Sequence, residues 1–228
     1  MDLVYICKSG DNEELRYSIR SAVKNLKFDN LWVVGGRPDW YVGNHLEVPQ
    51  SKAKYSNARN NLRAICNSTK ISNTFILMND DFYIINKVDK IPYMHGGLLS
   101  KKFLQYKELT GETRYALMLR KTFLNLSRRA KGDVLDYELH VPMVMEKEKL
   151  LKIIEVPDLW RSRYGNVFNV GGIEIEDVKV YLSGGLAQKS YDIQNLKYDY
   201  LSSSDDSFDM IKEKLLDSYF ANKTIYEV

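Results

Sequence analysis

The sequence predicts an α/β fold: a Rossmann-like, mostly parallel sheet flanked by helices, with a basic helical insertion around 98–131. Three observations predict it. The apolar run Leu3 to Cys7 is followed by a helical pattern and then by a second run, Leu31 to Val34, the strand–helix–strand order of a parallel unit. Phe75-Ile76-Leu77-Met78 is a further apolar run fit for an interior strand. Residues 98–129 carry two helical patterns broken near Thr110-Gly111. With 228 residues, 44% of them hydrophobic, and no internal repeat or low-complexity linker, the chain reads as one ordered domain.

Each element follows from local signals. Leu3 to Cys7 ends in the turn cluster Lys8-Ser9-Gly10-Asp11. Asp11 followed by Glu14 resembles a capping box, and Leu15, Ile19, Val23 and Leu26 recur at helical spacing. Leu31 to Val34 stops at Gly35-Gly36-Arg37-Pro38, and Leu46 to Val48 reads as a third short strand. Ser56 to Cys66 reads as a helix, and Phe75 to Met78 runs into Asn79-Asp80-Asp81 before Phe82 to Ile85 resumes. In the insertion, Tyr115, Leu119, Phe123 and Leu126 mark the second helix. Tyr137 to Val144 reads as a strand with Pro142 at an edge or bulge, Lys147 to Ile154 as a helix, and Trp160 to Asn166 as an arginine-rich turn. Ile173 to Leu182 alternates as a half-exposed strand, and Phe208 to Phe220 is a last helix behind Ser202-Ser203-Ser204-Asp205-Asp206, whose two aspartates read as caps.

Charge leaves the partner open. The net is +3, but from Met94 to Lys131 nine Lys/Arg (101, 102, 107, 114, 120, 121, 128, 129 and 131) stand against Glu108 and Glu112, a local +7 that reads first as a solvated face. Nothing approaches the ~18 consecutive apolar residues of a membrane span, so the chain reads as soluble, unexported and cytoplasmic. Cys7 and Cys66 show no metal-ligand spacing and read as buried free thiols.

Chemistry concentrates at Asn79-Asp80-Asp81. Adjacent carboxylates at the end of an interior strand repel each other unless a cation or hydrogen bonds offset them, and ligands of open α/β sheets collect beyond the carboxyl ends of the strands. Hard oxygen donors there suit Mg²⁺ or Mn²⁺, which would also bridge a pyrophosphate. The competing reading is a strand end with Asx-turn chemistry.

Asp2-Leu3-Val4-Tyr5, Asp11 to Ser21 (DNEELRYSIRS), Leu31 to Trp40 (LWVVGGRPDW) and Asn79-Asp80-Asp81 resemble the first two conserved regions of the Stealth family, and Glu138-Leu139-His140-Val141-Pro142 with Arg161-Ser162-Arg163 is similar to its later His-x-Pro and Arg-rich stretch. That family includes capsular-polysaccharide sugar-phosphate transferases and the catalytic part of the lysosomal GlcNAc-1-phosphotransferase. The chain departs from it at Cys7 and Ser9, where a tryptophan and an aspartate are usual. The resemblance implies a GT-A-type core, a divalent metal (Mn²⁺ or Mg²⁺) and a UDP-linked nucleotide-sugar donor.

Roles follow from chemistry and resemblance together. Asp80 and Asp81 are the expected metal ligands, and Asp81, His140, Arg161 and Arg163 form the expected catalytic set. His140 would act as general base on an acceptor hydroxyl or as a metal ligand, while Arg161 and Arg163, on one side if extended, would clamp phosphate or acceptor. Asn12, Arg16, Arg20, Asn57 and Asn79 are the expected donor-binding residues: amides at a helix start, a guanidinium fork one turn apart, and polar side chains near the acidic turn. Arg59, Asn60 and Arg63 extend the polar helix face that carries Asn57, and His45 and His95 read as surface or loop residues. The expected activity is transfer of a sugar or sugar-1-phosphate to a hydroxyl acceptor, a glycan or, in a second reading, a modified base in DNA. A third reading is a non-catalytic nucleotide-sugar-binding module.

Overall fold

The computed structural model describes residues 1–52, 54–128 and 132–228. In chain order the strands are β1 (Asp2–Cys7), β2 (Leu31–Gly35), β3 (Asn44–Glu47), β4 (Thr74–Met78), β5 (Phe82–Ile84), β6 (Met94–His95), β7 (Met143–Glu146), β8 (Ile173–Glu174) and β9 (Tyr200–Ser202). The helices are α1 (Glu13–Asn25), α2 (Lys54–Asn67), α3 (Leu99–Thr110), α4 (Arg114–Ser127), α5 (Lys147–Leu151), α6 (Trp160–Val167), α7 (Phe208–Ile211) and α8 (Asp217–Tyr219), with a π-turn at Lys212–Leu216 joining the last two. The central sheet has the order β3-β2-β1-β4-β7. Its first four strands are parallel and β7 is antiparallel to β4, so the molecule is mixed α/β with a mostly parallel sheet flanked by helices.

Alternation explains the layers. Leu3, Tyr5 and Cys7 of β1 join Leu15, Ile19 and Ala22 of α1 on one face, whereas Val4 joins Leu62 and Ile65 of α2 on the other. Each fully buried side chain of this kind stabilises by about 1.5–3 kcal/mol. Gly35 has φ +109, and a Cβ there would meet the Cys7 carbonyl at 2.3 Å, so only glycine lets β2 end this close to β1.

Helix α1 also fixes the acidic turn. Its cap is Asn12, not Asp11: the Leu15 amide donates to Asn12 Oδ1 at 2.9 Å. Val23, expected in the core, is 39% exposed. The buried face instead turns through Ser18 and Ser21: Ser18 Oγ donates to the Phe82 carbonyl, and the Ile84 amide donates to Ser21 Oγ at 3.0 Å. These bonds hold β5, and with it the turn at 79–81, against the helix.

Four sequence expectations are corrected. The stretch 137–142 is unpaired and bends at His140 and Val141, and strand pairing starts only at Met143, after Pro142. Trp160–Val167 is a helix, because it buries Ser162 and Tyr164 while Tyr164 Oη receives the Glu146 amide. Ile173 to Leu182 pairs as a strand only at Ile173–Glu174, with a lone bridge from Lys179 to Ser202; its alternation expresses burial of Val178 and Val180. His45 lies within β3, its Nε2 bonded to the Gly35 carbonyl, and His95 lies within β6.

Helices α3 and α4 form the expected hairpin between β6 and β7 around a small core of Leu99, Leu119 and Leu126. Lys101, Lys107, Arg114, Arg120, Lys121 and Arg128 are exposed, Lys102 turns inward, and Arg129 and Lys131 lie outside the described residues. Cys7 and Cys66 are buried free thiols. Among the described residues no helix is long and apolar enough to cross a membrane.

Candidate functional site

The carboxyl ends of β1 and β4 meet the N-terminus of α1, and there Asp80 and Asp81 stand. Asn12 Nδ2 donates to Asp80 Oδ2 at 2.7 Å, so one side chain both caps α1 and holds the first carboxylate. Burial and then the neighbouring Asp81 push the Asp80 carboxyl above the usual carboxylate range. Lys179 Nζ pairs with Asp81 Oδ2 at 2.7 Å. Burial opposes the Lys179 charge, but Asp81 outweighs it and the ammonium titrates above the ordinary lysine value. Beside this pair, Ser203 Oγ donates to Glu14 Oε1 at 2.7 Å and shares a 2.8 Å bond with Tyr83 Oη. Burial raises the Glu14 carboxyl to about 7. Asn79 Oδ1 is buried without a hydrogen-bond partner among the described residues.

A cleft with a cavity volume of about 1400 Å³ opens beside this rim, and Asn79, Phe82, His140, Arg161, Asp177 and Lys179 line it. Asp177 accepts from the His140 backbone amide at 3.1 Å and from His140 Nδ1 at 2.9 Å. An ionised carboxylate only accepts, so this pairing assigns the proton to Nδ1 and leaves the Nε2 lone pair basic. Burial drives the imidazole below the ordinary histidine value despite Asp177. Burial alone would raise Asp177, but His140 and Lys102, the latter 3.4 Å away, hold its carboxyl well below the usual range. Arg161 is 4% exposed; it donates to the Val141 carbonyl at 2.8 Å and stacks against Phe82 and Trp160 at 5.2 and 5.0 Å. Its Nη2 is buried without a partner among the described residues, and burial draws the guanidinium down to about 10. The charge of Asp81 reaches both His140 and Arg161.

The fold therefore brings together Asn12, Asn79, Asp80, Asp81, His140 and Arg161. Four expected residues are elsewhere. Arg16 pairs with Glu13 at 3.0 Å and lies over the Trp40 ring, and Arg20 grips both oxygens of Glu227, so the guanidinium fork holds the C-terminal segment and neither arginine lines the cleft. Asn57 is tied to Ser51, accepting its amide at 2.8 Å, while Arg59 on the same helix reaches the cleft. Arg163 pairs with Asp158 at 2.7 Å: in a helix, residues two apart point about 200° from each other, so Arg161 and Arg163 cannot form one clamp. Asp205 and Asp206 line the cleft, and Asp206 accepts from Ser183 Oγ. Sequence reading missed Glu14, Lys102, Asp177 and Lys179. For Asp177 and Lys179 a signal existed: two apart in an extended run, they share the side opposite the buried Val178 and Val180.

A dication fits this rim in one way. Among the described residues no group of three or more His, Cys, Asp or Glu makes a ready metal cage. Mg²⁺-like ions, however, are commonly held by one or two carboxylates and completed by substrate phosphates. Asp80, Asp81 and the orphaned Asn79 oxygen provide such a partial set. No protein-family model matches the chain, and no curated protein matches it.

Proposed function

We propose that the chain is a nucleotide-sugar-dependent transferase with a GT-A-like, Stealth-type core, moving a sugar or sugar-1-phosphate to a hydroxyl acceptor. One observation carries the reading: Asn79, whose unsatisfied amide oxygen stands beside the Asp80–Asp81 pair, lines the same cleft as an Asp-oriented histidine and an arginine with a free N–H. Asp80 and Asp81, with Asn79, would hold Mn²⁺ or Mg²⁺. When bound, such an ion neutralises the donor diphosphate.

The remaining chemistry belongs to the chain's own side chains. His140 Nε2 takes the acceptor hydroxyl proton as the oxygen attacks, and Asp177 holds the ring in the productive tautomer and offsets the imidazolium charge. Arg161 directs its unpartnered Nη2 at a phosphate oxygen, and the Phe82 and Trp160 rings against it help hold the guanidinium in place. Attack at the β-phosphorus transfers sugar-1-phosphate and releases a nucleoside monophosphate. Attack at the anomeric carbon transfers the sugar and releases the diphosphate. Incubating the chain with UDP- and GDP-sugars, Mn²⁺ or Mg²⁺ and a glycan panel, then identifying the released nucleotide, tests the reading. No release from any donor, together with donor binding unchanged in Asp80→Asn, overturns it.

A further inference from the structure

Helix α3 sends one lysine inward. Lys102, Gln105, Tyr106 and Leu109, at i, i+3, i+4 and i+7, form its cleft side, while Lys101 and Lys107 are exposed. The start of the helix is stitched to the segment that leads into His140: the Leu99 amide donates to the Val134 carbonyl at 2.9 Å, the Gly96 amide to the Asp136 carbonyl at 2.8 Å, and the Asp136 amide to the Gly97 carbonyl at 2.8 Å. These bonds set Lys102 Nζ 3.6 Å from Asp136 Oδ2 and 3.4 Å from Asp177 Oδ2, the oxygen that accepts from His140 Nδ1 at 2.9 Å. Gly96 leaves the space for this arrangement, since a Cβ there would meet Asp136 Oδ2 at 2.7 Å.

One ammonium therefore serves two carboxylates. Asp136 is 1% exposed; its Oδ1 accepts from the Glu138 amide at 2.9 Å, and its Oδ2 has no hydrogen-bond partner among the described residues. The neighbouring cations are committed elsewhere. Lys179 pairs with Asp81, and Glu138 is the carboxylate that most supports the Arg161 charge against its burial. The phenols around the group, Tyr106, Tyr115 and Tyr181, are kept protonated by burial. Burial opposes the Lys102 charge, but Asp136 and Asp177 outweigh it and the ammonium titrates above the ordinary lysine value. Asp136, Lys102 and Asp177 thus hold one negative charge in excess until His140 takes a proton, and enclosed charges are costly unless paired.

We propose that Lys102 is the positioning residue of the His140–Asp177 pair and that Asp136 is its second anchor. The role rests on the transferase reading and assigns two further residues to the same site. Before proton transfer the ammonium pins Asp177 Oδ2 and offsets its charge. When His140 Nε2 receives the acceptor proton, the imidazolium and Lys102 compete for Asp177, and Asp136 Oδ2 takes up the ammonium. Two cations then stand on two carboxylates with no further proton moved. Lysine suits the task because its ammonium is a point charge on a flexible stem with three rotatable donors. The basic insertion is joined to the base through this one inward side chain.

Imidazole ¹⁵N titration of the full chain reads the role without turnover. Lys179 and Asp81 also act on His140 and are unchanged in every variant. Lys102→Met leaves Asp177 unshielded, so His140 should titrate higher by about 0.5–1 unit, less than the 1–3 units of a charge in direct contact because Asp177 stands between. Asp136→Asn commits the ammonium to Asp177, and His140 should titrate lower by about the same amount. Lys102→Arg keeps the charge and should return His140 to within about 0.3 units of the parent. The double variant Lys102→Met/Asp136→Asn strands no enclosed charge, should also titrate above the parent, and takes the place of Lys102→Met if that protein does not fold. A lysine with only a structural role gives no opposed shifts. Equal titration of His140 in the parent, Asp136→Asn and the double variant, or shifts of one sign in both variants, overturns the assignment. Rate profiles with nucleotide sugars are recorded on the same proteins. Opposed titration shifts without turnover from any donor support the role of Lys102 and count against the transferase reading, whereas turnover without titration shifts keeps that reading and overturns the role.

Discussion

Replacing Asp177 by asparagine asks directly whether His140 is a base. The parent carboxylate accepts a hydrogen bond from His140 Nδ1 at 2.9 Å and one from the His140 backbone amide at 3.1 Å; asparagine keeps the volume and removes the charge. An opposite charge within 4–6 Å shifts a titration by about 1–3 pH units. His140 already titrates below the ordinary histidine value because it is buried, so in Asp177→Asn it falls further, by about 1–3 units. At 1.36 kcal/mol per unit, the imidazolium formed on proton transfer loses about 1–4 kcal/mol of stabilisation. The corresponding drop in kcat is about 10- to 1,000-fold. The neutral ring is the active form, so the acid limb of the rate profile moves to lower pH while its plateau falls. The stability linkage has a matching sign. A depressed histidine pKa contributes stability above the unfolded value of about 6.5 and loses it as pH falls below that, and the substitution extends that loss to lower pH. The chain has three histidines, so ¹⁵N NMR titration of the imidazoles with His140→Gln as the assignment control reads the shift without turnover. A His140 titration within about 0.3 units of the parent, or kcat within about twofold, refutes the base assignment.

Three further outcomes follow from the site. Without metal, Asp80→Asn should raise the melting temperature, because it removes the repulsion between Asp80 and Asp81, whereas Asp81→Asn should lower it by leaving Lys179 unpaired; differential scanning fluorimetry with and without Mn²⁺ reads both, and a Mn²⁺-induced rise kept in Asp80→Asn contradicts the rim assignment. Arg161→Lys keeps the charge but loses the fork that packs on Phe82 and Trp160, so kcat/KM for the donor should fall about 10- to 100-fold, the range set by one charge-assisted hydrogen bond of about 1.5–3 kcal/mol, with steady-state kinetics as the measure. Arg20→Ala leaves the Glu227 carboxylate with only Thr224 and the more distant Arg16 and should cost about 1.5–3 kcal/mol in urea unfolding, while turnover per folded molecule at 10 °C stays unchanged because Arg20 does not line the cleft.

The two kinds of residue behaved differently between sequence and structure. β1, β2 and β4 were legible because an interior parallel strand is a short run of apolar residues bounded by turns, a signal carried wholly by neighbours in the chain. The placement of Asp80 and Asp81 at a sheet end followed from the same local pattern. Trp160 to Asn166 reads as a turn because it is polar and arginine-rich, and only the burial of Tyr164 and Ser162 against distant residues makes Trp160–Val167 a helix. That change of period parted Arg161 from Arg163.

What the linear order determined was the layering of the sheet, the hairpin of the insertion and the clustering of charge at one strand end, since each rests on spacings of a few residues. What the tertiary structure alone decided was pairing. Arg20 found Glu227, Lys179 found Asp81 and Asp177 found His140 across separations of 207, 98 and 37 residues. A charged side chain carries no local mark of its partner. Hydrophobic burial of the surrounding elements brings the two within a few ångströms, and only at that range does the lowered dielectric make the choice between partners energetically decisive.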